Sequence, residues 1–437
     1  MDQARQRRLD AFRAVLEDAH AVLALPFGFR LWDGTTVPAG GSPGDLRMVL
    51  RDEGVVAGLL RKPSLDTLIN AHVAGRIDLE NGTLFDLAAA RPAGKIGRLL
   101  RRLKFGRLAK AAVLFLRAPA DAPQPLDGIR EQADARSGDA AVNKRNIAHH
   151  YDVSNAFYRL FLDAEMVYTC AWFQPDWHDD LDRAQRDKLD MICRKLRLQP
   201  GDRFLDIGSG WGALVCHAAQ HYGVHAHGVT LSEEQAKLAR DKAAALGLSD
   251  RVTIELKDYR ALEGSFDKIA SIGMFEHVGI DNHPAYFATI HRLLRPRGLY
   301  LHHCIARPAK GSDKAFRKMR AEYKALTRYI FPGGELDHLG MSVSNLERAR
   351  FEVHDVEGWR EHYQRTTRLW RDRLVARRQE AEAEVGPEKT RMWLLYLAGC
   401  SLAFERGAVG IFQTVASRRT RGPAGLPPTR AGLYEGL

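Results

Sequence analysis

Cysteine is scarce in this chain of 437 residues: five are present, Cys170, Cys193, Cys216, Cys304 and Cys400, and no two form a CxxC pair. An odd, scattered set is poor material for a disulfide framework or a zinc site, so no metal is expected. No apolar run approaches the roughly 18 residues that span a bilayer. One of the longest, Leu394 to Phe404, is broken by Gly399 and Ser401. The opening MDQARQRRLDAFRAV has charge but neither a continuous apolar core nor a cleavage signal, which reads as a cytoplasmic protein. No internal repeat is evident. With 45% hydrophobic and 27% charged residues, the composition excludes a mostly disordered or fibrous chain.

Acids are missing altogether from Arg91 to Arg117, where Arg91, Lys95, Arg98, Arg101, Arg102, Lys104, Arg107, Lys110 and Arg117 interleave with Ile96, Leu99, Leu100, Leu103 and Leu108. A basic amphipathic segment of this kind suits an anionic membrane surface, apolar face toward acyl chains and cations on lipid phosphates. A core-packed helix with a solvated basic face is the alternative. The overall charge of +11 favours anionic partners. No nucleic-acid-binding motif accompanies it, so nucleic acid is not expected as a partner. Ala118 to Pro125 holds three prolines and marks a boundary. The division expected is therefore a lipid-binding or membrane-binding domain over 1–117, its basic segment at 91–117, a linker over 118–142, a catalytic domain over 143–417 and a disordered tail over 418–437, rich in Arg, Gly and Pro.

From about 185 to 305 strand and helix patterns alternate. Strands are expected at Arg203–Ile207, Val224–Leu231, Val252–Leu256, Phe266–Ile272 and Leu299–Ile305, the last after an Arg295–Gly298 turn. Helices are expected at Trp211–Tyr222, Glu233–Leu246 and Tyr286–Leu294. This alternation implies an α/β domain with a parallel sheet covered on both faces. Between the first strand and its helix lies Asp206-Ile207-Gly208-Ser209-Gly210-Trp211-Gly212. Glycines there let a ligand approach the backbone. Gly208, Gly210 and Ala213 also satisfy a dinucleotide fingerprint. The next strand, however, ends in Val229-Thr230-Leu231-Ser232, without the acid a nicotinamide ribose needs. S-adenosylmethionine (SAM) is the better reading, because an acid stands two residues before the first glycine.

Several blocks resemble, in order, the cyclopropane-fatty-acyl-phospholipid synthases and the related mycolic acid cyclopropane synthases. They are Asn146 to Asn155, Met166 to Phe173, Gly228 to Gln235, Asp258-Tyr259-Arg260, Gly273 to Gly279 (GMFEHVG) and Tyr329 to Gly334 (YIFPGG). Residues 42–90 resemble that family's small lipid-handling domain more weakly. The resemblance implies a SAM-dependent methyltransferase fold, Rossmann-like with a mostly parallel seven-stranded sheet, behind a smaller N-terminal α+β domain. It implies methylene transfer from SAM to the cis double bond of unsaturated phospholipid acyl chains, on a peripheral protein at the inner face of the membrane. Family analogy alone suggests a homodimer. By the same resemblance Cys170, Glu276, His303, Ile305 (through its backbone) and Tyr363 cradle a bicarbonate ion that serves as base. Cys400 falls on the family's active-site cysteine, read here as pocket-lining. Tyr168, Thr169, Asp206, Gly208, Ser209, Gly210, Thr230, Leu231, Gln235, Tyr259 and Arg260 serve SAM. Of the two adjacent histidines, alternation along a strand places His302 on the face opposite His303.

The chemistry fits these types. A cis alkene is a weak nucleophile, methylation leaves a carbocation, and ring closure needs a placed base in a dry, apolar site with aromatic faces. Three other readings use parts of the same sequence. The same site could leave a methyl- or methylene-branched chain, and Phe404-Glu405-Arg406-Gly407 departs from the F-R-A-R wording of well-known synthases. A small-molecule N-methyltransferase would need neither the basic segment nor a lipid domain. A non-catalytic lipid-binding protein would not need the intact glycine loop.

Overall fold

The computed structural model describes residues 3–42, 44–90, 102–116, 118, 154–318 and 334–435. Residues 91–101 of the basic stretch, the linker from 119 to 142, Asn146 to Val153 and Tyr329 to Gly333 lie outside the described residues.

Contacts divide the chain into two units, 1–130 with 385–398, and 131–384 with 399–437. The catalytic domain expected from the sequence runs over 143–417; by contacts the first part of helix Pro387–Glu405 groups with the N-terminal unit. Arg391 supplies the reason. It is 9% exposed, and its guanidinium donates to the carbonyls of His72 (2.7 Å) and Ile77 (3.0 Å) and to the Asp78 carboxylate (3.2 Å).

The N-terminal unit holds a small sheet of β1 (Gly28–Arg30), β2 (Thr36–Val37), β3 (Arg47–Leu50) and β4 (Ile77–Glu80), ordered β2-β1-β3-β4. Helix Gln3–Leu23 and the basic helix Phe105–Leu116 close over it. The basic helix buries Ala111 and, one turn on, Phe115, which joins a core with Leu9, Leu16, Phe29 and Val37. It leaves Phe105, Leu108, Val113 and Leu116 exposed, Phe105 at 81%.

The second unit is built on β5 (Arg203–Ile207), β6 (His225–Thr230), β7 (Val252–Leu256), β8 (Phe266–Ile272), β9 (Leu294–Ala306), β10 (Phe351–Gly358) and β11 (Gly410–Arg418). Their order is β10-β11-β9-β8-β5-β6-β7, and β11 alone runs antiparallel to its neighbours. Alternate side chains feed two cores. Phe204, Ala226, Ile254 and Leu301 meet helices Leu181–Leu196, Ala213–Tyr222 and Glu233–Ala245 on one face, while Leu205, Ile207, Val229 and Tyr300 meet helix His283–Leu293 on the other. Successive strands leave β5 toward β7 on one side and toward β9 on the other, so the order reverses at the carboxyl end of β5, where ligand crevices form in such sheets.

Two local expectations are corrected. Arg295–Gly298 is not a turn before a strand, because β9 already begins at Leu294. Arg297 adopts a left-handed conformation (φ 63°), and pairing with β8 slips between Phe266 and Lys268, so the excess residues are absorbed as an irregularity inside the ladder. The tail after 418 is placed through Glu435. Leu433 is buried, Arg430 pairs with Asp355 (2.7 Å), and Arg194 donates to the carbonyl of Glu435 (2.6 Å). One apolar anchor and two charged ones overcome the tail's Gly/Pro composition.

Candidate active site

At the tip of β5 a cavity of about 220 Å³ opens. Gly208, Gly210 and Gly212 all have positive φ (83°, 53° and 83°), which ends the strand and turns the chain into helix Ala213–Tyr222. The loop is pinned to β6, since Gly208 and Ser209 both donate their N–H to the Val229 carbonyl (2.9 and 3.0 Å). Gly228 permits that approach, because a Cβ there would stand 2.8 Å from Ser209. Every SAM residue expected from the sequence lines this cavity: Tyr168, Thr169, Asp206, Gly208, Ser209, Gly210, Thr230, Leu231, Gln235, Tyr259 and Arg260. Thr230 donates to the Gln235 side chain (2.8 Å), Tyr259 meets Tyr286 edge to face, and the Arg260 guanidinium is clasped by Asp258 (2.7 Å).

The cavity wall also contains Lys188, which the sequence reading missed. Its buried ammonium donates to the Thr169 hydroxyl (2.8 Å). Burial pulls its pKa down to about 8 against the opposing pull of Asp163, Cys170 and Asp206. Asp206 is pushed up to about 7 by burial, which Lys188 partly offsets, and its Oδ1 finds no partner among the described residues. A wall carrying a buried cation and a buried carboxyl suits a zwitterionic ligand, which is what the amino-acid end of SAM is. The signal for Lys188 was present in the sequence: Lys188 and Lys195 lie seven apart on the inward face of helix Leu181–Leu196, among Ala184, Met191 and Ile192.

Behind this cavity, Gly273 donates its N–H to the His303 carbonyl (2.9 Å), and the proposed anion residues gather there. Cys170, Ile305, Tyr363, Trp359, Phe404 and Leu433 share one apolar cluster. The His303 ring stands edge-on to Trp359 at 5.3 Å. Glu276 sits on a single turn of 3-10 helix, Phe275–His277, directly after β8 and its Gly273 turn, and its Oε1 accepts the Ile305 N–H (2.7 Å). Ile305 was expected to hold an anion through its backbone. Its N–H donates to the carboxyl of Glu276. Burial raises Glu276 to about 7, opposed by that N–H. Burial, with Lys188 and Lys195 adding to it, holds His303 well below its ordinary value. Two polar atoms in this cradle, Glu276 Oε2 and His303 Nε2, are buried with no partner among the described residues. Such atoms are costly unless a ligand satisfies them, and a carboxyl oxygen and an imidazole nitrogen are atom types that can meet the hydroxyl and the oxygens of an acid anion such as bicarbonate.

Cys170 is fully buried, and burial drives its thiol pKa far up. The thiol leans on the Ala171 carbonyl at 3.2 Å, which leaves no thiolate nucleophile. Cys400 sits half-buried on helix Pro387–Glu405. One turn on, Phe404 packs on the Tyr363 ring at 4.6 Å. His302 is on the opposite face, as alternation requires. It bonds the Tyr300 hydroxyl (3.0 Å) and packs on Phe275. Tyr168, Trp370 and Tyr363 follow one another at 5.1 and 6.0 Å, an aromatic row from the SAM cavity to the cradle.

A doubly covered, mostly parallel seven-stranded sheet with this glycine-loop cavity defines a SAM-dependent methyltransferase. Its particular family follows from comparison. A family model described as mycolic acid cyclopropane synthetase matches residues 139–414, and the chain belongs to that family. A "Probable fatty acid methyltransferase" of Pseudomonas putida is 40% identical over 427 residues, 96% of this chain and 99% of that protein. The cyclopropane-fatty-acyl-phospholipid synthase of Escherichia coli K12 is 38% identical over 269 residues, 62% of this chain and 66% of its own. The crystal structure of mycolic acid cyclopropane synthase CmaA1 with SAH and CTAB matches with a TM-score of 0.59 at 34% identity, covering 63% of this chain and 98% of that one. The chain is thus an enzyme of the cyclopropane synthase-like, SAM-dependent fatty acid methyltransferase family.

Proposed function

We propose that this enzyme is a cyclopropane-fatty-acyl-phospholipid synthase that adds a methylene to the cis double bond of membrane acyl chains, with bicarbonate in the cradle. The observation that carries the reading is the pair of orphaned buried atoms, Glu276 Oε2 and His303 Nε2, behind the SAM cavity. Bound SAM supplies an electrophilic methyl, and bound bicarbonate a base for the proton released on ring closure. The chain's own residues do the rest. His303 and Tyr363 donate hydrogen bonds to the anion, and Glu276, titrating near neutrality, takes up its remaining proton. Tyr168, Trp370, Tyr363 and Phe404 exclude water that would trap a carbocation, and their faces soften its charge. Cys400 lines the acyl side.

A second reading shares the site. The Pseudomonas putida relative is called a fatty acid methyltransferase, and a hydride shift before proton loss would leave a methylene branch in place of a ring. One experiment separates them: incubation with SAM and unsaturated phospholipid vesicles in CO2-depleted buffer, with and without added bicarbonate, followed by mass spectrometry and proton NMR of the lipids. A gain of one CH2 with loss of the olefinic signal, dependent on bicarbonate, is the expected result. A gain of CH2 with an olefinic signal retained supports the branch. No CH2 transfer in either buffer rejects both.

Substrate embedded in a bilayer requires docking, and the basic helix Phe105–Leu116 supports a peripheral seat on the anionic inner face of the membrane. It exposes Phe105, Val113 and Leu116 beside Lys104, Arg107 and Lys110.

A further inference from the structure

We infer that Gln413, held in place by Lys195, locks His303 in the tautomer that carries its proton on Nε2, so that His303 meets the anion as a hydrogen-bond donor and never as a base. Gln413 lies opposite His303 in the β9–β11 ladder, fully buried. A glutamine amide can face either way, and here the neighbours choose. The Lys195 ammonium, with a side chain 1% exposed and paired with Glu357, stands 2.7 Å from Gln413 Oε1. An ammonium has no acceptor, so the amide oxygen must face it. The amide NH2 therefore points at His303 Nδ1, 3.0 Å away. An NH2 donates, so Nδ1 must keep its lone pair. A neutral imidazole then has one place for its proton, Nε2, which is the atom left without a partner in the cradle.

The inference rests on the bicarbonate reading for its purpose but not for its geometry. With the proton on Nδ1, a lone pair would face the anion in place of a donor, and a charge-assisted hydrogen bond would become a repulsion. Lys195 and Gln413 are thus positioning residues outside the lining of the SAM cavity, and the inference accounts for two buried polar side chains that the chemistry otherwise leaves idle.

The test uses the full chain, labelled with 15N-histidine and free of ligand. Long-range proton–nitrogen correlation, with the His303 signals assigned by their loss in His303→Gln, is expected to show an unprotonated Nδ1 and a protonated Nε2. Gln413→Met removes the donor and should give a mixture of tautomers. Gln413→Glu offers an acceptor and should move the proton to Nδ1, which keeps the inference testable if the Met variant does not fold. In turnover assays Gln413→Met should raise the bicarbonate concentration for half-maximal activity by about tenfold or more, the worth of one charged hydrogen bond, with the KM for SAM unchanged. A proton found on Nδ1 in the wild type, or a tautomer unchanged in both variants, overturns the inference. A wild type with protonated Nε2 whose activity ignores bicarbonate rejects the anion's identity and leaves the positioning role standing.

Discussion

Glu276 is where burial and chemistry meet in a single side chain. The unfolded chain releases its proton near 4.5, while burial holds it to about 7 in the folded protein. Between those values the folded state binds the extra proton, so rising pH favours the unfolded chain at this residue, and the penalty levels off above about 7. Glu276→Gln removes it. The stability of that variant relative to wild type should therefore climb as pH is raised from about 4.5 to about 7, by at most about 3 kcal/mol. Urea unfolding at a series of pH values measures the difference, and a flat difference curve contradicts the assignment. The same substitution should cut turnover about a hundredfold, the lower range for loss of a proton-transfer group, with SAM affinity kept. Tyr363→Phe keeps the ring contacts with Phe404 and Trp370 and loses only the hydroxyl. Its fold should survive while steady-state turnover drops about tenfold or more. At this scale the resemblance of the chain to its family is enough to single out Glu276, His303 and Tyr363. It passes over Lys188, Lys195 and Gln413, because a buried lysine is explained only by its partners, and Thr169, Glu357 and Gln413 lie far from it along the chain or across the sheet.

Among the elements, the glycine loop after β5 carries the binding of SAM. Gly208 has φ 83°, and a Cβ there would lie 2.9 Å from Met274. Gly208→Ala should therefore weaken SAM binding by about tenfold or more, through about 1–2 kcal/mol of left-handed strain plus displacement of Met274 in the cavity wall. Gly247, with φ 68° and no atom within 4 Å of its would-be Cβ, is the control. Gly247→Ala carries the backbone strain and should leave SAM affinity alone. Calorimetric titration of both variants decides, and equal affinities would remove the loop from ligand contact. The strand and helix pattern around this loop was legible because β5 to β8 alternate cleanly with their helices. Arg295 to Gly298 misled because Pro and Gly are shared by turns and by bulged strands, and only pairing with β8 distinguishes them. The tail misled for a related reason: its composition says nothing of Asp355 or Arg194, which hold it.

The molecule as a whole combines a site built for a sulfonium donor with a net charge of +11, and no helix among the described residues is long and apolar enough to cross a membrane. On the proposed function, a substrate in a bilayer is reached from the membrane surface. The described part of the basic stretch concentrates the means: exposed Arg102, Lys104 and Lys110 with exposed Phe105. Each such cation near an anionic surface contributes about 1 kcal/mol, so the triple variant Arg102→Glu, Lys104→Glu, Lys110→Glu should lose about 3 kcal/mol or more of vesicle affinity, a factor of at least about 100. Phe105→Ser should weaken binding by a smaller factor that does not depend on ionic strength, because its contribution is apolar area and not charge. Neither change touches the SAM cavity, so SAM affinity should stay at the wild-type value in both. Sedimentation with vesicles of neutral lipid and of neutral lipid plus an anionic one, each at low and high salt, reads the two contributions apart. A wild type that binds both vesicle types equally, or a triple variant that still sediments with the anionic ones, would place the membrane contact elsewhere on the protein.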